Sequence, residues 1–117
     1  MVKVPSNQGE ITVNSGVYTS IAGMAATNCF GVKGMADRSM TDGLVHLLRK
    51  EALSKGVRVS FHDDGTISID LHIIVDHGVN LTAVCGSIIS EVRYVVQKTT
   101  GTAVRKVNVY VDSMQTE

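Results

Sequence analysis

Six side chains between positions 62 and 76 are of the types that do acid–base or metal chemistry: His62, Asp63, Asp64, Asp70, His72 and Asp76. An imidazole beside a carboxylate can relay a proton or hold a divalent cation. Their spacing argues for something plainer. Asp63 and Asp64 stand directly before Gly65, where a tight hairpin loop favours Asp and Gly. Asp70, His72 and Asp76 fall on one face of an alternating strand, together with His62. An open sheet face has no walls to exclude water. Neither catalytic residues nor metal ligands are therefore expected here, and no cofactor is implied. His46 belongs on a helix surface, and His77 has no evident partner. Cys29 and Cys85 are the only cysteines. Both lie in apolar helical stretches without ligand spacing, which predicts reduced, buried thiols.

The second chemical candidate is Gly31-Val32-Lys33-Gly34. KH domains clamp a nucleic-acid backbone with a Gly-x-x-G loop between two helices. The order of elements around this tetrapeptide is also KH-like, so an RNA-binding module using these four residues is the alternative reading. Three features weigh against it. Val32 is apolar where a clamp exposes polar side chains. The following MADRSMTDG is a poor helix start. Lys+Arg equal Asp+Glu at 11 each, and nucleic-acid binders are usually basic. The structural reading has Gly31 stopping a helix, Val32 and Met35 anchoring to the core, and Gly34 turning the chain. Lys33, Arg38, Arg49, Lys50, Lys55 and Arg58 gather in the first half. If the fold brings them together, they make a patch for an acidic partner, anionic lipid or RNA.

The elements that must position these groups follow from periodicity. EITV at 10–13 predicts a first strand, with Asn14 or Ser15 as a helix cap. In the helix that follows, to about Cys29, Val17, Ile21, Met24 and Ala25 share one face, extended by Ala22 and Cys29. Leu44, Leu47 and Leu48 predict a second helix over 42–54, ended by Gly56. Val57, Val59 and Phe61 alternate with polar residues, as do Ile67, Ile69, Leu71, Ile73 and Val75, which predicts a β-hairpin. Opposed residues must share a face. A three-residue loop, Asp63-Asp64-Gly65, sets Phe61 against Ile67, Val59 against Ile69 and Val57 against Leu71, with Gly65 in the left-handed position. The same register sets Arg58 opposite Asp70 and predicts a cross-strand ion pair. His72 and Ile74 would lie on the outer face, and an exposed Ile74 there would mark a contact surface. Asn80 caps a long helix to about Thr99, with Leu81, Val84, Cys85, Ile88, Val92, Val95 and Val96 as its apolar stripe. Gly101 terminates it, and Val104, Val107, Val109 and Val111 predict a final strand.

The chain of 117 residues thus reads as one α+β domain. It is a two-layer sandwich in the order β-α-(α)-β-β-α-β, with a largely antiparallel sheet and helices on one face. Residues 1–8 and 114–117 are expected to fray. There is no secretory leader and no apolar run long enough to span a bilayer, which predicts a cytoplasmic protein.

GEITVNSGVYTSIAGMAA at 9–26, GVKGM at 31–35, LSKGVRV at 53–59, ISIDLHIIVDHGVNL at 67–81 and TGTAVRKVNVYVDSM at 100–114 run through nearly the whole chain. In this order they resemble the alkaline shock protein family, the Gls-type envelope stress response proteins of Gram-positive bacteria. The match is weaker over 36–50, and relatives often carry an aromatic near position 77. The resemblance implies a small, non-enzymatic cytoplasmic protein that self-associates or docks on an envelope-linked, membrane-anchored protein partner. It implies no catalytic residues, and it favours the structural reading of GVKG.

Overall fold

The computed structural model describes residues 2–4, 6–36 and 54–115. The expected helix over 42–54 lies outside them, apart from Ser54. That residue opens a single 3₁₀ turn at 54–56. Arg38, His46, Arg49 and Lys50 also lie outside.

The element order is β1 (Val2–Val4), β2 (Ile11–Val13), α1 (Ser15–Thr27), β3 (Val32–Met35), β4 (Val57–Phe61), β5 (Ile67–Asp76), α2 (Leu81–Thr100) and β6 (Val104–Gln115). This is an α+β fold with helices against one sheet face. β1 and β2 form a small antiparallel hairpin of their own. Residues 2–4, expected to fray, are thus paired, and β6 runs on through Met114 and Gln115.

β5 is the centre of the main sheet. On one side it pairs antiparallel with β4, and further along with β3; on the other it pairs with β6. The sheet is antiparallel at β3 and β4, as the sequence predicts, but the long β5–β6 ladder is parallel. A parallel neighbour needs a crossover, and α2 is that crossover. The hairpin register matches the expectation at every pair, with Phe61 opposite Ile67, Val59 opposite Ile69 and Val57 opposite Leu71. Gly65 has φ +85°, as the three-residue loop requires. Asp64 Oδ1 accepts from Thr66 N at 3.0 Å and from Thr66 Oγ1 at 2.7 Å. Its Oδ2 accepts from Arg105 Nη2 at 2.7 Å, which ties the hairpin tip to β6.

The helix-facing side of the sheet buries Ile67, Ile69, Leu71, Ile73, Val75 and Val107. From α2 come Val84, Ile88, Val92 and Val96; of the other residues in the expected stripe, Cys85 and Val95 are half-buried and Leu81 is exposed. Asn80 Oδ1 caps this helix at Ala83 N, and Gly101 ends it in the left-handed conformation at φ 75°. In α1 the expected face is met in part: Ala22 and Ala25 are buried and Ile21 and Cys29 half-buried, but Val17 and Met24 are exposed, and Tyr18, Gly23 and Ala26 complete the buried side. The small side chains let this helix approach closely, and Tyr18 fills the space they leave. Tyr18 Oη lies 2.7 Å from Thr102 Oγ1, both groups buried, and its ring meets Phe61 edge-on at 6.0 Å. A buried hydroxyl must find a partner, and this pair serves both residues.

Ile74 is fully buried, not exposed, and it stands outside the core cluster that faces the helices. At this end β5 is therefore buried on both faces. Register shifts fall here on both flanks, between Ile73 and Ile74 against β6 and between Val32 and Gly34 in β3.

Two measurements check this packing. Tyr18→Phe should lose about 1–2 kcal/mol in chemical denaturation, because Thr102 is left buried without its partner. An unchanged midpoint would contradict the buried pair. Asp64 has its pKa lowered, first by the Thr66 hydroxyl and amide and then by Arg105. Its folded-state pKa is below the unfolded value, so its contribution is present above roughly pH 4 and is lost as pH falls further. Carboxyl NMR titration should find Asp64 still ionised below the range where an ordinary aspartate protonates. An ordinary aspartate titration at Asp64 would contradict the loop geometry.

Candidate functional site

The outer sheet face gathers most of the titratable groups singled out in the sequence. Its residues sit in cross-strand rows: Ser60, Ser68 and Lys106; Arg58, Asp70 and Asn108; then His72 beside Tyr110. They are bonded to one another. His62 Nε2 lies 2.6 Å from Ser68 Oγ, and Asn108 Nδ2 donates to Asp70 Oδ1 at 2.8 Å. His72 Nδ1 is 3.0 Å from Asp112 Oδ2, and its ring stacks on Tyr110 at 4.8 Å. The expected Arg58–Asp70 ion pair does not form, although the two residues are opposed as predicted. The short Asn108 amide reaches the carboxylate from the other side, while Arg58 extends into solvent. Among the described residues, no three His, Cys, Asp or Glu side chains are grouped to hold a metal ion.

GVKG is not a loop between helices. Gly31 is the turn, with φ +86°, and an added Cβ would meet Val84 Cγ2 at 2.9 Å. Val32, Lys33, Gly34 and Met35 are strand β3, hydrogen-bonded along β5. Gly34 therefore does not turn the chain; it is a buried strand residue opposite Ile74. Lys33 is half-buried in that strand, so the backbone-clamp geometry behind the RNA-binding alternative is absent. Of the six basic residues, Lys33, Lys55 and Arg58 are described, and the other three lie outside. No acidic group pairs with Lys33, Lys55 or Arg58 among the described residues.

The helix layer presents a different surface. Phe30, which follows α1, is 88% exposed. It borders a groove of about 490 Å3 with His77, Gly78, Val79, Asn80, Ala83, Val84 and Ser87. A second, smaller groove of about 300 Å3 runs between the helices past Ile21, Met24, Val95 and Thr99. Val17, Met24, Leu81 and Tyr94 add exposed apolar area. Sequence reasoning missed Phe30. Its signal was present: a large aromatic just beyond a helix end, in phase with no apolar stripe. Cys29 beside it is half-buried, its Sγ directed to Ala25 O at 3.4 Å. Burial, with some help from Glu91, pushes its thiol pKa up, and burial does the same for Cys85. Neither thiol is poised as a nucleophile. Among the described residues no helix is long and apolar enough to cross a membrane.

Comparison with known proteins agrees with the fold-wide resemblance. Residues 3–116 match the alkaline shock protein 23 family, described by its cell envelope-related function. The chain is 36% identical over 115 residues to the uncharacterized protein YloU of Bacillus subtilis, covering 97% of this chain and 95% of that one. It is likewise 36% identical to the uncharacterized protein Spy1614 of Streptococcus pyogenes, over 97% of this chain and 94% of the relative. The uncharacterized protein YqhY of Bacillus subtilis is 31% identical over 92% of this chain and 78% of its own length. No solved structure matches. With a family match across nearly the whole chain and relatives aligned end to end, this protein belongs to the alkaline shock protein 23 family, whose function is related to the cell envelope.

Proposed function

We propose that this chain is a non-enzymatic interaction protein that serves the cell envelope by binding another protein. The observation that carries this reading is Phe30, 88% exposed at the lip of an apolar groove. A phenyl ring held in water costs free energy unless something covers it, and concentrated apolar exposure of this kind marks recognition surfaces. The groove is lined by Val79, Ala83 and Val84 around the start of α2, with Asn80 and Ser87 as polar rim. Its shape suits an apolar anchor from a protein partner, with polar groups to fix orientation. The histidines and carboxylates of the outer sheet face bond to one another on an open surface. That supports a structural role for them rather than turnover. In this reading the protein is cytoplasmic and reaches the membrane periphery through an envelope-linked, membrane-anchored partner.

The test is affinity capture of the tagged full-length protein from its host, with proteins and nucleic acid both quantified. Wild type should retain an envelope-linked protein, and Phe30→Ser should reduce its recovery about tenfold. The melting temperature should stay unchanged, since the ring is exposed in the free chain. Equal recovery by the variant would overturn the role of Phe30. Salt-sensitive capture of RNA in place of protein would overturn the reading itself.

A further inference from the structure

β6 pairs with β5 alone, so among the described residues its other side is a sheet edge. On the β6 side, Ile67 N donates to Ala103 O and His77 N to Gln115 O. On the opposite side, Ala36 N donates to His72 O and Asp76 N to Gly31 O. Odd-numbered residues of β5 therefore face β6, and even-numbered ones face β3 and β4. In a parallel ladder each such residue bonds to the two neighbours of its opposite number. With Ile69 opposite Val107 and Leu71 opposite Val109, the bonded residues of β6 are Lys106, Asn108 and Tyr110. Val107, Val109 and Val111 then turn their N–H and C=O groups outward. Arg105 fits this pattern, because its carbonyl accepts from Arg93 Nη2 at 3.4 Å, outside the ladder. The register shifts fall at Arg105 and Asp112, leaving Lys106 to Val111 as a regular stretch between them.

We infer that this edge is a self-association surface, on which β6 of a second copy adds antiparallel about a two-fold axis at Val109. This deepens the interaction reading above by naming one partner, a second copy, and the surface it uses. Two independent features of the strand select the register. Antiparallel exchange of hydrogen bonds needs outward groups opposite outward groups. Centring on Val109 provides this, pairing Val109 with itself and Val107 with Val111 of the other copy, for about six backbone bonds. The same centring sets Lys106 opposite Asp112 of the other copy, twice by symmetry. Both side chains lie on the outer sheet face, Lys106 beside Ser68 and Asp112 against His72. Shifting the centre by one residue keeps the backbone match but loses the charge match. A two-fold contact must be self-complementary, and a strand basic near one end and acidic near the other meets that condition only when it runs antiparallel to itself. The result is one continuous sheet through both copies, with the outer faces contiguous.

Analytical ultracentrifugation of the full chain, from about 1 to 200 µM, tests this directly. Wild type should show a concentration-dependent dimer. Lys106→Glu alone and Asp112→Lys alone should each weaken dimerisation about tenfold, since each puts like charges opposite one another twice. The double variant, which exchanges the two charges, should recover it. Circular dichroism on each variant separates loss of association from loss of fold. As a check on register, Val109→Cys in a background with Cys29 and Cys85 replaced by Ser should form an intermolecular disulfide under mild oxidation. A monomer throughout, or a dimer indifferent to both charge reversals, would overturn the inference. Either outcome leaves capture of an envelope partner through Phe30 to stand or fall on its own test.

Discussion

One strand organises this molecule. β5 spends its odd-numbered backbone groups on β6 and its even-numbered ones on β3 and β4. Its odd side chains are Ile67, Ile69, Leu71, Ile73 and Val75, all fully buried. Of its even ones, Ser68, Asp70 and His72 form the polar outer face, while Ile74 is buried. The two-residue period of a strand thus assigns both pairing side and solvent side in one stroke. Because β6 runs parallel to β5, α2 must cross back over the sheet, and that crossing lays Val84, Ile88, Val92 and Val96 on the core. α1 then has only the space beside α2, where small residues and Tyr18 fit.

This arrangement separates three surfaces of different character. The outer sheet face is polar and bonded within itself, so its histidines and carboxylates hold the strands in register. The helix layer carries the unspent apolar area, concentrated at Phe30 and the start of α2. The β6 edge carries unpaired backbone and a complementary charge pattern. Chemistry-bearing residue types lie on the first surface, whereas the features that need covering lie on the other two. In the proposed reading these two surfaces serve recognition; the family itself is tied to the cell envelope.

Much of the fold was legible because it rests on local signals. Alternation and the Asp-Asp-Gly loop suffice for the β4–β5 register, and the 3.6-residue stripe with Asn80 and Gly101 delimits α2. Strand direction was not legible for β6, since alternation reads the same in parallel and antiparallel pairs. In α1 the large residues Val17 and Met24 suggested a buried face that only Ala22 and Ala25, with Ile21 half-buried, fulfil. Packing distance, which favours Ala, Gly and one well-placed Tyr, decided otherwise. GVKG was legible as non-clamp but not as strand, because four residues with two glycines carry no period. For the outer face, the sequence showed Arg58 opposite Asp70 but not that Asn108 would flank Asp70 from β6. That partner lies 38 positions along the chain, across the α2 crossover, beyond the reach of any local pattern.

Residue-resolved amide hydrogen exchange on dilute protein probes the central position of β5 most directly. The account predicts slow exchange at every amide from Ser68 to Val75, with no alternation, because β5 is bonded on both sides. It predicts alternation in β6 under the same conditions, with Asn108 and Tyr110 slow and Val107, Val109 and Val111 fast. Alternating exchange within β5 would contradict it, and so would uniform protection across residues 107–111 in the dilute chain.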